Sequence, residues 1–575
     1  MRFRIFLAIL AFCALKSLAK DKSGAVIPWT TYEAEQMKTN GVISGHAYGP
    51  YQVQTESSGQ RCVKLTARQF IQFTATVSSN TLVIRYSLPD SENGKGQNTT
   101  LGIYVNGTLS KQHTITSYYS WLYGKYPFSN NPDAGTPRHF YDETQLTGLA
   151  IKRGDVVRIQ RNDQAKDNAA YCIIDLVDIE DISSPLKAPI NCLSITDPSV
   201  KGDDNDDYTQ AFRTCISKAV ITGQTVWIPP GVYPITGDIT IPSNIRIQGA
   251  GMWYSKLVGD VNLYADADKR VRLIGRGSNI HLADFSITGH LNYRSDKEAN
   301  DGIVGSFGLN STISRIWIEH TKVGMWIENS SHLKITGCRM RNTIADGINF
   351  CVGMTYSTIE NCTARGTGDD CFAIWPATFS KQLFAPGHNL IKNCTAQLPF
   401  LANGAAIYGG DSNQIASCSF IDISQGSAIL ISTTFPTENA EKAINNNFTG
   451  VTTIQNCTIK TSGGFDHEWD WRAAIEICLD KRNINGLNIK NINIINSLSN
   501  AISVIAKTEN KKVVRLMNAQ LKNVTISRFG VGHQKAYALF ISSNAEGNLD
   551  IDRSEFSKIN NNAPNMKLSN KTSAK

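Results

Sequence analysis

Thr358-Ile359-Glu360-Asn361-Cys362 is one of five closely similar stretches in the second half of this 575-residue chain. Lys334-Ile335-Thr336-Gly337-Cys338, Leu390-Ile391-Lys392-Asn393-Cys394, Gln414-Ile415-Ala416-Ser417-Cys418 and Thr453-Ile454-Gln455-Asn456-Cys457 follow the same plan. Each has an apolar centre, then a turn-forming Gly, Asn or Ser, then cysteine. The cysteines stand 24, 32, 24 and 39 residues apart. Such periods belong to solenoids, and uneven intervals mean loops of different length on one face of a regular stack. Alternating strands also build antiparallel sandwiches. The lack of short hairpin turns between the copies favours a parallel β-helix. Asn488–Ile495 and Leu521–Ile526 continue the pattern. Equivalent cysteines then form a ladder in which the thiol packs as a small hydrophobe, although Cys62 with Cys172 and Cys192 with Cys215 are candidate bridges.

Two further segments fall into this period. Asp346 lies in Asn342-Thr343-Ile344-Ala345-Asp346-Gly347-Ile348-Asn349, and Asp369 and Asp370 follow 23 and 24 residues later in Gly366-Thr367-Gly368-Asp369-Asp370-Cys371-Phe372. Asp-Gly and Gly-Asp-Asp also mark ordinary turns. One coil of separation, however, brings the three carboxyls to one wall, because stacked strands sit ~4.8 Å apart. Adjacent carboxylates repel, so keeping them beside an apolar strand suggests use. Glycoside hydrolysis needs such a set: one carboxyl to protonate the leaving oxygen and another to act on water or on the sugar. Neighbours in a strand face opposite ways, so Asp369 and Asp370 can share a groove only across a turn. Gly366 and Gly368 predict that turn at 366–370, with a strand starting at Cys371.

Arg2, Arg4, the apolar run Ile5–Leu15 and the small residues Ser17 and Ala19 read as a secretory signal peptide over residues 1–19, so the product is expected outside the cell. The net charge of +8 is small and spread along the chain, which argues against nucleic acid, and no later run is apolar enough to span a membrane as a helix. A monomer is expected. Residues 203–219 are acidic at the start and apolar at helical spacing, predicting a helix that caps the first coil. Gly223–Tyr233 and the Gly249-Ala250-Gly251 turn follow.

Residues 27–185 alternate at period two and resemble the β-sandwich carbohydrate-binding modules of families 6 and 35, with Pro185–Pro189 as a stiff link. Glu33 and Glu35 sit two apart and are expected to share one face, and with Asp175 they are candidates for a structural calcium or, alternatively, a solvated acidic edge. The aromatic run Tyr118–Tyr126 suits sugar stacking or interdomain packing.

The opening of residues 190–560 resembles the pectate-lyase-like right-handed β-helix. Together, sandwich, helix and aspartate spacing are similar to glycoside hydrolase family 87, the α-1,3-glucanases and mycodextranases, over about Ile27–Phe529. The resemblance implies an all-β protein, a β-sandwich followed by a right-handed parallel β-helix with a capping helix. It implies an inverting hydrolase of α-glucan that uses no cofactor in catalysis. Asp369 is then the general acid, Asp346 and Asp370 hold and deprotonate water, and the pair stands ~6.5–9.5 Å apart. Family 28 polygalacturonases also use Asp followed by Asp-Asp-Cys, but their Gly-His-Gly and Arg-Ile-Lys motifs are missing around Asn403–Asp411. Without paired cations an acidic sugar gains no charge-assisted anchoring. A pectate lyase, needing a calcium cage and a base, and a non-catalytic binding solenoid are the remaining alternatives.

Trp375, Tyr408, Asp411, Trp469 and Trp471 are candidate sugar contacts, while His290, His320 and His388 lack metal-ligand spacing and read as structural. Residues 561–575 are polar and expected to be disordered.

Overall fold

The parallel stack is held by rows of identical contacts. Ile313, Ile335, Ile359, Ile391, Ile415, Ile454, Ile489, Leu521 and Ile551 pair in register from one strand to the next, and all are buried. Each such side chain contributes roughly 1.5–3 kcal/mol of apolar burial. A computed structural model describes residues 23–571 apart from 127, 163, 202–205, 436–446, 467–470 and 508–512. The expected signal peptide and Trp469 lie outside the described residues.

Among the described residues, two long parallel sheets of 21 and 12 strands form the helix walls. The larger takes paired short strands from most coils, such as Lys334–Thr336 and Arg339–Arg341. The residue before each ladder cysteine makes the corner: Gly337, Asn361, Asn393, Ser417 and Asn456 all have positive φ between 51° and 65°. Asn reaches the left-handed region more readily than other non-glycine residues, which explains its recurrence there. The thiols beneath are buried and free, and the Cys338 and Cys394 backbone amides donate to the Cys362 and Cys418 sulfurs at 3.4 Å.

The helix Thr209–Thr222 closes the first coil. Asp207 accepts from the Thr209 amide at 2.9 Å, and Gly223 (φ 69°) ends the helix in the left-handed conformation. Phe212, Cys215 and Ile216 face the core. At the far end the strand Met566–Lys571 pairs with Glu546–Asp552. The polar segment expected to be disordered therefore continues the stack to residue 571. Among its described residues only Ala563, Met566 and Leu568 pack on the core, too few apolar residues for a visible period-two pattern.

Residues 29–180 form a sandwich of antiparallel sheets with six and five strands. The two candidate disulfides do not form; all four thiols are free. Cys172 points into the sandwich core, while Cys62 packs with Tyr141 and Ile173 on the opposite face. Cys215 instead donates to the Leu193 and Ser194 carbonyls.

The sandwich meets the helix through buried charge. Glu143 accepts from Arg365 at 2.5 Å and lies 3.4 Å from Arg341, Asp178 takes Arg365 at 2.8 Å, and Glu180 holds Arg339 through two contacts of 2.7 and 2.8 Å. Burial pushes the Glu143 carboxyl up, but Arg365 and Arg341 outweigh it and hold it below its ordinary range. Removing one partner leaves a buried charge uncompensated. Arg365→Met is expected to lower stability by about 3–5 kcal/mol in chemical denaturation of the whole chain; a loss below 1 kcal/mol would show that the pair does not hold the interface.

Candidate active site

Asp346 and Asp370 occupy equivalent places on neighbouring coils, each two residues before a strand of the 12-stranded sheet, Ile348–Phe350 and Phe372–Ile374, which pair Ile348 with Phe372. The Gly347 amide donates to the Asp370 carbonyl at 2.9 Å, and the Cys371 amide to the Asn403 carbonyl at 2.9 Å. Asp346, Asp370 and Asn403 are thus one column. Asp369 reaches the same space because residues 366–371 turn: Gly366 has φ 72°, and a Cβ on Gly368 would meet the Ile344 carbonyl at 2.1 Å. The strand begins at Phe372, one residue later than expected.

One oxygen from each carboxyl lies within 4.8 Å of the others. Asp370 accepts from the Asn403 amide (3.1 Å), the Asn403 side chain (2.8 Å) and the Tyr408 hydroxyl (2.9 Å). Burial and the Asp369 charge push its carboxyl up to about 7 despite these donors. Burial, with both neighbouring aspartates, pushes Asp346 well above the carboxylate range. At neutral pH the cluster therefore holds a proton.

Asp369 has a different environment. Arg294 donates to it at 2.7 Å, to the Gly368 carbonyl at 2.9 Å and to Asp296 at 3.0 Å. Arg294 is held in turn by Tyr126 of the sandwich, whose ring centroid lies 4.9 Å from the guanidinium carbon and whose hydroxyl donates to Asp296 at 3.2 Å. Three carboxylate oxygens this close also suit a divalent cation, but Arg294 already neutralises Asp369.

These groups line a groove of about 650 Å³. Trp375 is in its wall, edge-on to Trp326 (5.6 Å) and Phe435 (5.9 Å). Tyr408 also lines it, as a donor to Asp370. Asp411 does not. It sits at another corner, where its carboxyl accepts from Ser412 at 2.6 Å and its carbonyl from the His388 amide. Trp471 lines a separate groove further along the helix.

Of the calcium candidates, Glu33, at the end of the strand Trp29–Glu33, and Glu35, in the 3-10 turn Ala34–Gln36, line one cavity together with Asp422, and each keeps a buried carboxylate oxygen without a hydrogen-bond partner. Asp175 is spent on a buried ion pair with Arg85 and on the Ser58 amide. Among the described residues, only the three active-site aspartates bring three acidic or thiol/imidazole ligand atoms this close together. The aromatic run divides: Tyr119 stacks on His320 at 3.9 Å and bonds His290, while Tyr126 reaches the groove. His320 itself pairs with Asp142 of the sandwich at 2.7 Å.

The sequence gives no signal for Arg294, and marks Tyr126 only as the end of the aromatic run Tyr118–Tyr126. Sequence reasoning also underestimated the cations, since Arg272, Arg276 and Lys322 line the groove too. Arg272 pairs with Asp238 at 2.9 Å, and Lys322 donates to the Glu298 carbonyl at 2.8 Å.

Comparison with known proteins supports one family. Models of α-1,3-glucanase catalytic domains D1 and D2 match residues 26–182 and 206–567. The catalytic unit of a thermostable GH87 α-1,3-glucanase from Streptomyces thermodiastaticus strain HF3-3 superposes with a TM-score of 0.79 at 27% identity, covering 96% of this chain and 97% of that one. A GH87 α-1,3-glucanase catalytic domain solved with tetrasaccharides gives 0.78 at 26%, covering 96% and 100%. Variants of such a domain carry alanine at three aspartates spaced along their chain as Asp346, Asp369 and Asp370 are here. A pre-neck appendage protein of Bacillus phage B103 is 26% identical over 185 residues, 29% of this chain, and the chain spans only 19% of that curated relative. With both domain models matched in order across most of its length, the chain belongs to glycoside hydrolase family 87, the α-1,3-glucanases.

Proposed function

We propose that the protein is an exported hydrolase of α-1,3-glucosidic bonds in α-1,3-glucan or in the alternating polymer nigeran, acting without a metal or cofactor. The observation that carries this is the convergence of Asp346, Asp369 and Asp370 in an open, aromatic-walled groove. Related GH87 structures hold nigerose and tetrasaccharides, and aromatic walls suit sugar faces.

Asp369 is the most exposed of the three, its side chain 26% accessible, and it faces the glycosidic oxygen as general acid. Asp346 and Asp370 lie deeper and orient and deprotonate water. Arg294 is a positioning residue that fixes Asp369 in the resting site. We take the reaction to proceed by single displacement with inversion, as the family resemblance implies.

Three measurements test these assignments. Wild-type protein is expected to release reducing ends from insoluble α-1,3-glucan and none from polygalacturonate, and Asp346→Asn, Asp369→Asn and Asp370→Asn each to lose at least about 100-fold in kcat; full activity in all three removes the assigned roles. Proton NMR of the first product is expected to show the β-anomer, and an α-anomer establishes retention. A water-activating carboxylate must be ionised, so kcat/KM is expected to fall as pH drops below about 7. Tyr408→Phe removes a donor that favours the Asp370 anion. Its carboxyl then rises further, and the acid limb shifts to higher pH; an unmoved limb excludes Asp370 as the titrating base.

A further inference from the structure

Strands of the 12-stranded sheet alternate inward and outward residues. One outward row runs in register through Trp326, Asn349, Ala373, Ala406, Leu430, Glu476, Ser503 and Phe540. Its first members border the catalytic groove, and its last three border a second groove of about 620 Å³. The two grooves therefore lie on one face, along one axis. At the catalytic groove Arg482 donates to the carbonyls of two lining residues, Tyr408 and Phe435, at 3.2 and 2.6 Å. From Asn349 to Ser503 is five strand spacings, ~24 Å.

The second groove has the chemistry of a neutral-sugar surface. Half-buried Trp471 lies on one wall, stacked at 5.2 Å on His533 and fixed by the backbone bridge between residues 465 and 471. Tyr537 and Phe540 lie on the other, 6.0 Å apart. The cation beside Trp471 is matched: Arg472 meets Glu476 at 2.5 Å and Asp466 at 3.6 Å. Lys507 and Lys535 also line the groove, Lys507 lying 3.9 Å from Asp480, and the Lys558 ammonium sits 4.5 Å over the Tyr537 ring; the aromatic faces that remain are what a sugar ring stacks on.

We propose that this groove is a second binding site for the glucan polymer, holding a stretch of the substrate away from the bond being cut. The site rests on the function proposed above. It has a physical rationale: linking two weak contacts on one rigid body raises affinity for a long chain by effective concentration, and does nothing for a ligand too short to reach both.

The test uses whole protein silenced by Asp370→Asn, alone and with Trp471→Ala or Tyr537→Ala on opposite walls, each checked for an unchanged thermal melt. Affinity is measured for insoluble α-1,3-glucan and for a soluble α-1,3-linked trisaccharide. Either wall variant is expected to bind the polymer at least fivefold more weakly, with a less than twofold loss for the trisaccharide. Equal losses for both ligands, no loss for the polymer, or displacement by polygalacturonate in preference to glucan would each overturn the second site. Failure of wild-type protein to hydrolyse the glucan at all would instead overturn the proposed function, and this site with it.

Discussion

Rung spacing is the constraint on which this protein depends. Parallel strands hydrogen-bonded coil to coil stand ~4.8 Å apart, and the amide of Gly347 and the carbonyl of Asp370 are one such bond. That bond fixes how near Asp346 and Asp370 must be. Neither side chain has to be drawn into place by the other, since the backbone ladder and the buried isoleucine rows set the distance before any chemistry occurs. Repulsion between the carboxylates is then an imposed condition, and the cluster relieves it by holding a proton. A sheet that builds its core from repetition gains a charged cluster wherever two successive rungs carry aspartate at the same register.

The sandwich completes this site. Tyr126 lies on the Arg294 guanidinium, and Arg294 holds Asp369, so a residue from the first domain sets the environment of a carboxyl in the second. The same interface carries the Arg339, Arg341 and Arg365 stack against Glu143, Asp178 and Glu180. Buried ion pairs are poor sources of net stability but costly to break. Here they hold two domains in one relative position, which Tyr126 needs in order to reach the groove.

Much of this was legible in sequence because repetition leaves a local mark. The corner pattern ending in cysteine shows the β-helix, since each coil needs a left-handed residue at the same place, and Asn361, Asn393 and Asn456 supply it. The aspartate spacing is legible for the same reason. Arg294 was not, because it lies 75 residues before Asp369 in a segment with no repeat. Tyr126 belongs to another domain. Asp411 follows the Gly409-Gly410 pair, both at positive φ, and those turns carry it off the groove wall that Tyr408 lines. A strand ends between Glu33 and Glu35, yet both side chains line one cavity. The final strand was hidden because an end coil buries so few of its side chains.

Glu143 and Arg365 are 222 residues apart in the chain. At a ribosomal rate of ~5–20 residues per second, roughly 11–44 s pass between their synthesis. For much of that interval the emerging sandwich carries Glu143, Asp178 and Glu180 before the guanidinium groups that cover them are made. The first domain is therefore a nascent chain with an anionic face in waiting.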